Sequence, residues 1–475
     1  MRAYYTAEVI RATEAPLLAA LPDGALMRRA ATGLANAVAA ELRRRTGGVG
    51  GRSVCAVAGS GNNGGDALWA ATLLRRRGAA ATAVLLNPGN THEGALRAFR
   101  HAGGRIVARP PATTDLVIDG VVGISGTGPL RPAAAELFAA VDAAAIPVVA
   151  VDIPSGIDVH TGAVSGPYVR AALTVTFGGL KPVHALADCG RVELIDIGLL
   201  LPPTELVGFD AADVRARWPL PGPRDDKYTQ GVVGILAGSS AYPGAAILCS
   251  GAAVAATSGM VRYVGSAAAQ VVSHFPEVVA APDAASAGRV QAWVVGPGLG
   301  TDENAETALT FALNSDLPVI VDADGLTLLA AHPHLVAGRV APTVLTPHAG
   351  EFERFGLGPV GADRVVAAQR LSEHTGATVL LKGNVTVIAD TRVSGLTYLN
   401  PAGGSWAATA GSGDVLSGIV GALLAAGLPA AEAAAAAAFV HARAANTSAA
   451  DPGPAPVPTS ASRILAHIRY ALAHL

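Results

Sequence analysis

The chain has 475 residues, 51% of them hydrophobic and 15% charged, which predicts two domains or one large one around a sizeable buried core and excludes a disordered polymer. A net charge of −2 with no basic tract disfavours nucleic acid or an anionic membrane as the main partner and favours metabolite chemistry.

In chain order, residues 1–45 read as mostly helical, with alanines that favour close helix packing. The start lacks the apolar run of a secretory leader, and Cys55, Cys189 and Cys249 are scattered with no metal spacing. A cytoplasmic location is therefore expected. Residues 52–58 (RSVCAVA) read as a buried strand and 66–77 as the helix after it. Further strands are expected at 82–86, 116–119, 147–152 and 172–177, which makes a βαβ succession and a parallel sheet. Clustered prolines and charges across 202–230 mark a linker, so the domains are placed at 1–208 and 209–475. Strands restart at 232–237, 292–295, 318–322 and 379–382. The alanine-rich stretch 425–445 carries Glu432, His441 and Arg443 and reads as a packed helix, not a membrane span.

Two strands end alike: IPVVAVD delivers Asp152, and LPVIVD delivers Asp322, to the carboxyl edge of a sheet where open α/β folds bind ligands. Only three of the 34 basic residues are lysines, namely Lys181, Lys227 and Lys382. A compact ammonium fits crowded sites that a guanidinium does not, so each lysine is a candidate site residue.

The first half holds three loops rich in glycine and oxygen ligands. Gly59-Ser60-Gly61-Asn62-Asn63-Gly64-Gly65-Asp66 lies between a strand and a helix, where amides favour phosphate. It lacks the lysine of an ATP-cleaving loop. Asp119 opens a second loop, DGVVGISGTG, and Asp152 a third, DIPSGID. Asn62, Asp119 and Ser155 offer hard oxygens to a cation, and Asp152 can act as a general acid or base. A bare structural turn and helix-capping aspartates are the alternative reading.

NNGGD, the Asp119 loop and VDIPSGID together resemble the NAD(P)H-hydrate epimerase family, as do Tyr5-Thr6-Ala7-Glu8 and Leu26-Met27-Arg28-Arg29-Ala30. The resemblance runs over 4–197 and implies a Rossmann-like three-layer fold. It implies potassium near Asn62, Asp119 and Ser155. It implies substrate on Asn62, Asn63, Gly64, Gly65 and Asp66, on Gly123, Ile124, Ser125, Gly126, Thr127, Gly128 and Pro129, and on Asp152. Ala67 stands where the family usually has glycine, and the Asp119 loop carries extra residues. Lys181 matches a family lysine.

In the second half, Ala410-Gly411-Ser412-Gly413-Asp414 precedes a helical pattern, so its amides form an anion nest with a carboxylate that can take a substrate proton. Capping is the alternative for Asp414. Loops after other strands are GPGLG with Gly298, TPHAGE with His348, LKGNVT with Lys382, and GSSAYPGAA with Ala245.

GPGLG, VDADGL, TPHAGE, LKG and AGSGDVLSG in this order resemble the ADP/ATP-dependent NAD(P)H-hydrate dehydratases of the ribokinase-like superfamily, over 227–445. The resemblance implies nucleotide on Lys382, Gly383, Asn384, Val385, Thr386 and Gly413. It implies hydrate on Ala245, Gly298, His348 and Asp414, with ADP or ATP and Mg²⁺. Lys227 matches a position at the domain's start. The expected protein repairs hydrated NADH and NADPH by epimerisation and then nucleotide-driven dehydration, as a homo-oligomer acting on small molecules. Two rivals remain: a small-alcohol kinase in the second half, and a non-catalytic nucleotide-binding module in the first.

Overall fold

The computed structural model describes residues 1–124, 126 and 128–475; Ser125 and Thr127 lie outside the described residues. It divides into two compact units, Ala3–Thr204 and Met1–Arg2 with Glu205–Leu475.

In the first unit the described strands form a parallel sheet in the order Arg105–Ile106, Ala80–Leu85, Ser53–Ala58, Leu116–Gly120, Val148–Val151, Leu173–Phe177, Arg191–Ile195. The chain moves outward from Ser53–Ala58 in one direction, then returns to add Leu116–Gly120 on its other side. That reversal opens a crevice at the strands' carboxyl ends. Side chains alternate across the sheet. Val54, Ala56 and Ala58 pack with the helices Ala25–Thr46 and Asn62–Arg76, while Cys55 and Val57 pack with the helix Pro132–Ala143. This period of two makes three layers.

The second unit repeats the plan. Its described sheet runs Arg2–Ala3, Leu206–Gly208, Thr397–Pro401, Val385–Ala389, Thr378–Leu381, Thr343–Leu345, Val319–Val321, Ala292–Val295, Val232–Leu236, Met260–Val264, Val279–Ala281. The reversal here lies between Val232–Leu236 and Ala292–Val295, where Leu236 pairs with Val295. The helices Pro243–Ala256, Ser412–Ala425, Ala430–Ala450 and Ala461–Ala473 pack into one core. Small residues let two of them nearly touch, for a Cβ at Gly418 would collide with the Cys249 carbonyl. No helix among the described residues is long and apolar enough to cross a membrane.

Five sequence expectations change. The first sheet-side helix starts at Asn62, not 66, because Asn62 to Gly65 form its first turn, where amides need no intrahelical partner. The alanine-rich stretch breaks at Gly427, with φ 91°, and Pro429, so the helix is Ala430–Ala450. The expected linker 202–230 contains the strand Leu206–Gly208 and the helix Ala211–Arg217, both built into the second unit. Asp210 and Asp213 close a capping box there, and Arg217 pairs with Glu432 at 2.8 Å. The chain therefore divides at Thr204 and Glu205 rather than at 208, and residues 2–3 form a strand within a stretch read as helical.

Candidate functional sites

At the first reversal, glycines bring two loops together. A Cβ at Gly59 would collide with the Val121 carbonyl, and one at Gly123 would lie 3.0 Å from Asn63 Oδ1. Ala67 is accommodated because Gly120 faces its methyl without a side chain. Asn63 Nδ2 and Asp66 Oδ1 are buried with no hydrogen-bond partner among the described residues. Such orphans in a native fold mark a place where a ligand or water bonds. Burial, then the nearby Asp152 and Glu14 carboxylates, push the Asp66 carboxyl well above the usual range.

Asp119, fully buried at the end of Leu116–Gly120, accepts the Ser155 amide at 2.9 Å, its hydroxyl at 2.8 Å and the Val121 amide at 3.1 Å. Burial raises its carboxyl to about 6 even so. A buried carboxylate whose hydrogen-bond donors among the described residues are all neutral, next to a hydroxyl, fits an oxygen-ligated cation. Asn62 is exposed at the helix start, and among the described residues no hydrogen bond joins its side chain to this pair. Of the Gly123 to Pro129 loop, Gly123 meets Asn63, the Ile124 carbonyl accepts Arg11 at 3.0 Å, and Gly128 and Pro129 are exposed.

Asp152 ends Val148–Val151 in the left-handed region at φ 69°, a conformation that costs a side chain about 1 kcal/mol or more. Its Oδ1 accepts Lys181 Nζ at 2.6 Å and Thr176 Oγ1 at 2.9 Å. Lys181 Nζ also reaches Thr176 Oγ1 at 2.8 Å and the Phe177 carbonyl at 3.1 Å. Burial opposes charge on Asp152, but the Lys181 ammonium and these hydrogen bonds hold its carboxyl below the ordinary value. Asp66 and Asp152 are thus pushed in opposite directions. Sequence reasoning found Lys181 through the scarcity of lysine but missed Thr176 and His184.

In the second unit, buried Asp322 accepts Lys382 Nζ at 2.7 Å on Oδ1 and Ser417 Oγ at 2.8 Å on Oδ2. Glu351 lies 3.4 Å from the same ammonium. A Cβ at Gly413 would lie 3.6 Å from both Lys382 Nζ and Asp322 Oδ2, so Lys382 faces the turn that carries Asp414. Burial, then Asp322, raises the Asp414 carboxyl to about 7. The Gly300 amide donates to Asp324 at 2.8 Å, which ties GPGLG to the turn after Asp322. Gly298, with φ 59°, abuts Ala245.

The remaining candidates lie further out. Exposed His348 caps the helix Ala349–Glu353: its Nδ1 accepts the Gly350 and Glu351 amides, and Glu351 accepts the His348 amide at 2.8 Å. Gly383 and Asn384 turn the hairpin beyond Lys382, while Val385 and Thr386 pair with Pro401 and Asn400. Exposed Lys227 lies over the Tyr228 ring and joins neither cluster among the described residues. Sequence reasoning missed Asp322 as the partner of Lys382 and Ser417 as the hydroxyl that donates to Asp322. It also missed Arg364, whose Nη2 donates to the Lys382 carbonyl at 2.8 Å and whose Nε is buried without a partner among the described residues.

A protein-family profile described as NAD(P)H-hydrate dehydratase matches residues 233–467, and one described as YjeF-related protein N-terminus matches 23–183. The chain is 74% identical over 475 residues to a bifunctional NAD(P)H-hydrate repair enzyme Nnr of Mycobacterium tuberculosis, covering all of both chains. It is 72% identical over 475 residues to that of Mycobacterium leprae, again covering both completely. Among solved structures it resembles the ADP/ATP-dependent NAD(P)H-hydrate dehydratase of Bacillus subtilis, co-crystallized with ATP/Mg²⁺. There the identity is 27% and the TM-score 0.50, over 57% of this chain and all of that one. A ribokinase-like superfamily protein of Enterococcus faecalis, 22% identical with a TM-score of 0.51 over 58% of this chain and 98% of its own, shares the fold.

Proposed function

The chain belongs to the family of bifunctional NAD(P)H-hydrate repair enzymes, and on that premise we propose how its two units divide the work. The unit Ala3–Thr204 epimerises R and S hydrates at Asp66 and Asp152. The unit completed by Glu205–Leu475 dehydrates the S hydrate at Asp414, with ADP or ATP as phosphoryl donor. One observation carries the reading: at the carboxyl edge of each parallel sheet, a buried carboxylate pairs with one of the scarce lysines beside glycine-rich loops.

The hydrate carries a hydroxyl on C6, next to the ring nitrogen. For epimerisation, neutral Asp66 protonates that hydroxyl, which leaves as water while the nitrogen lone pair forms an iminium. Water then adds to the opposite face and gives its proton to ionised Asp152, which returns it to Asp66 through solvent to restore the starting state. Two carboxyls whose acidities are driven apart suit these opposite roles. Asn63 and the Gly123 to Pro129 loop hold the substrate. Potassium, where bound by Asn62, Asp119 and Ser155, would add positive charge beside the substrate's phosphates.

For dehydration, Asp414 takes the C6 hydroxyl proton as that oxygen attacks the terminal phosphoryl group of the nucleotide. Phosphate is a far better leaving group than hydroxide. It departs from C6 as the nitrogen lone pair moves in, and loss of the C5 proton restores the dihydronicotinamide. Lys382 and the amides of the Ser412–Ala425 helix start stabilise the phosphoryl oxygens. Asn384, Val385 and Thr386 extend the nucleotide site, and Ala245, Gly298 and His348 border the hydrate. Asp322 and Asp324, the carboxylates that act on Asp414, suit Mg²⁺ carried in on the nucleotide's phosphates.

The assay supplies pure R hydrate with ADP or with ATP and follows the return of dihydronicotinamide absorbance. A stable phosphorylated product would instead favour a small-molecule kinase, and S hydrate turned over while R hydrate is inert would favour a non-catalytic first unit. Location in the cytoplasm is supported by the three free, buried cysteines. Assembly as a homo-oligomer is checked by light scattering.

A further inference from the structure

His184 bridges the backbones of the two residues that form the first unit's central ion pair. Its Nδ1 accepts the Lys181 amide at 2.9 Å, and its Nε2 lies 2.8 Å from the Asp152 carbonyl. A backbone amide can only donate and a carbonyl can only accept. The ring is therefore fixed as the neutral tautomer with its proton on Nε2. It sits in the short helix Val183–Leu186, directly after Lys181 and Pro182.

Asp152 is otherwise tethered at its amide, which donates to the Val175 carbonyl at 2.7 Å, and at Oδ1, which takes both Thr176 and Lys181. Among the described residues, every hydrogen bond to its carboxylate falls on Oδ1, so Oδ2 is the oxygen open to a substrate proton. Its direction depends on a left-handed backbone that a side chain rarely adopts. The imidazole bond to the carbonyl holds that peptide plane. Through the same ring, the plane is linked to the segment that carries the ammonium.

We propose that His184 is a positioning residue for epimerisation: as a neutral, Nε2-protonated strut, it fixes Asp152 Oδ2 and Lys181 Nζ in one geometry without touching the substrate. This rests on the assignment of epimerisation to Asp152. Burial beside Lys181 keeps the ring neutral, since a second cation there would face the ammonium and lose the amide donor.

The experiment compares the full chain with His184→Gln, His184→Asn and His184→Ala, following R-to-S interconversion without nucleotide. Gln keeps an amide donor near the Nε2 position, whereas Asn and Ala do not. For Asn and Ala, kcat falls by about 10²-fold with KM little changed, as expected for a misdirected group. His184→Gln recovers most of that loss. Wild-type kcat in all three variants overturns the inference and leaves the functional assignment standing. A wild-type chain that does not interconvert the hydrates overturns both.

A measurement on the unsubstituted chain decides the matter even where variants do not fold. With ¹⁵N in the histidines and in the three lysines, coupling across the hydrogen bond identifies the Lys181 amide and its Nδ1 acceptor. The inference expects an Nε2–H signature that does not titrate between about pH 5.5 and 8. A proton on Nδ1, or titration in that range, overturns it.

Discussion

Lys382 Nζ lies 2.7 Å from Asp322 Oδ1, and the first unit repeats this pair with Lys181 and Asp152 at 2.6 Å. Each carboxylate follows a parallel strand at the sheet's carboxyl edge, and each also accepts a hydroxyl, from Ser417 or Thr176. Each stands at a left-handed turn: Asp152 itself has φ 69°, and Ala323, next to Asp322, has φ 50°. A point-like ammonium fits between Asp152 and the Thr176 hydroxyl, or between Asp322 and Glu351, where a planar guanidinium would not. In a chain that otherwise relies on arginine, two of three lysines serve this one purpose.

Asp322→Asn removes the anion that orients Lys382 and leaves its ammonium with Glu351, 3.4 Å away. Breaking a buried pair from one side typically costs about 3–5 kcal/mol, through the charge left unmatched. The dehydration kcat/KM is expected to fall by about 10²-fold or more, while R-to-S interconversion is unchanged. Steady-state rates of both reactions on the same preparation check this. Unchanged dehydration would remove Asp322 from the site.

The Asp414 carboxyl, raised to about 7, is neutral below that pH and cannot then accept the substrate proton. Dehydration kcat/KM should therefore climb with pH, about tenfold per unit below 7, and level off above it. Asp322→Asn takes away a neighbouring anion, so the surviving activity should show its acid limb at lower pH. Asp414→Asn should abolish dehydration and spare epimerisation. A profile flat from about pH 5.5 to 8 would rule out Asp414 as the base.

The strands were legible because runs such as RSVCAVA and IPVVAVD are β-branched, apolar and as long as a buried strand; only their ends shifted by a residue or two. The helix start at Asn62 was harder to see, since Gly64 and Gly65 weaken a helix interior yet are tolerated in its first turn. The strand Leu206–Gly208 was hidden between prolines, because a three-residue strand has no periodicity to read. Asp152, Lys181, Lys382 and Asp414 stood out by motif or by scarcity. Ser417 did not, since it meets Asp322 from 95 positions away in the middle of a helix and has no local signature. His184 is likewise one of 12 histidines until the fold brings the Asp152 carbonyl to its Nε2.

Potassium should stabilise the first unit if Asp119 and Ser155 help to bind it. A ligand at ten times its Kd adds about 1.4 kcal/mol to the folded state. Potassium chloride should therefore raise the thermal midpoint more than lithium chloride of equal ionic strength. Asp119→Asn should remove the difference, as the buried negative charge is gone. Equal shifts with both salts would leave this carboxylate to its hydrogen bonds with Ser155 and Val121 alone.

His441 gives the second unit a built-in sensitivity to acid. Its Nε2 lies 2.9 Å from Ser412 Oγ at the start of the Ser412–Ala425 helix, and burial lowers its pKa from 6.5 to about 4. Between those values the unfolded chain binds a proton that the folded chain refuses, so stability is present above pH 6.5 and drains away on acidification towards 4. The limit is about 3 kcal/mol, and about 2 kcal/mol is gone near pH 5. Asp414 acts in the opposite sense, because its raised carboxyl takes up a proton on folding below about 7. Wild-type melting alone therefore mixes the two. The difference between wild type and His441→Gln isolates the histidine. On lowering the pH from about 7.5 to 5, the variant should gain on wild type by roughly 4–8 °C in the second unit's transition. Three of the four tryptophans, Trp218, Trp293 and Trp406, lie in that unit and Trp69 in the other, so fluorescence of a Trp69→Phe background follows the second unit. A constant gap between the two melting curves across this range would mean that His441 takes up its proton as readily in the folded protein as in the unfolded chain, and at pH 5 its bond to Ser412 would then have to run with the imidazolium as donor.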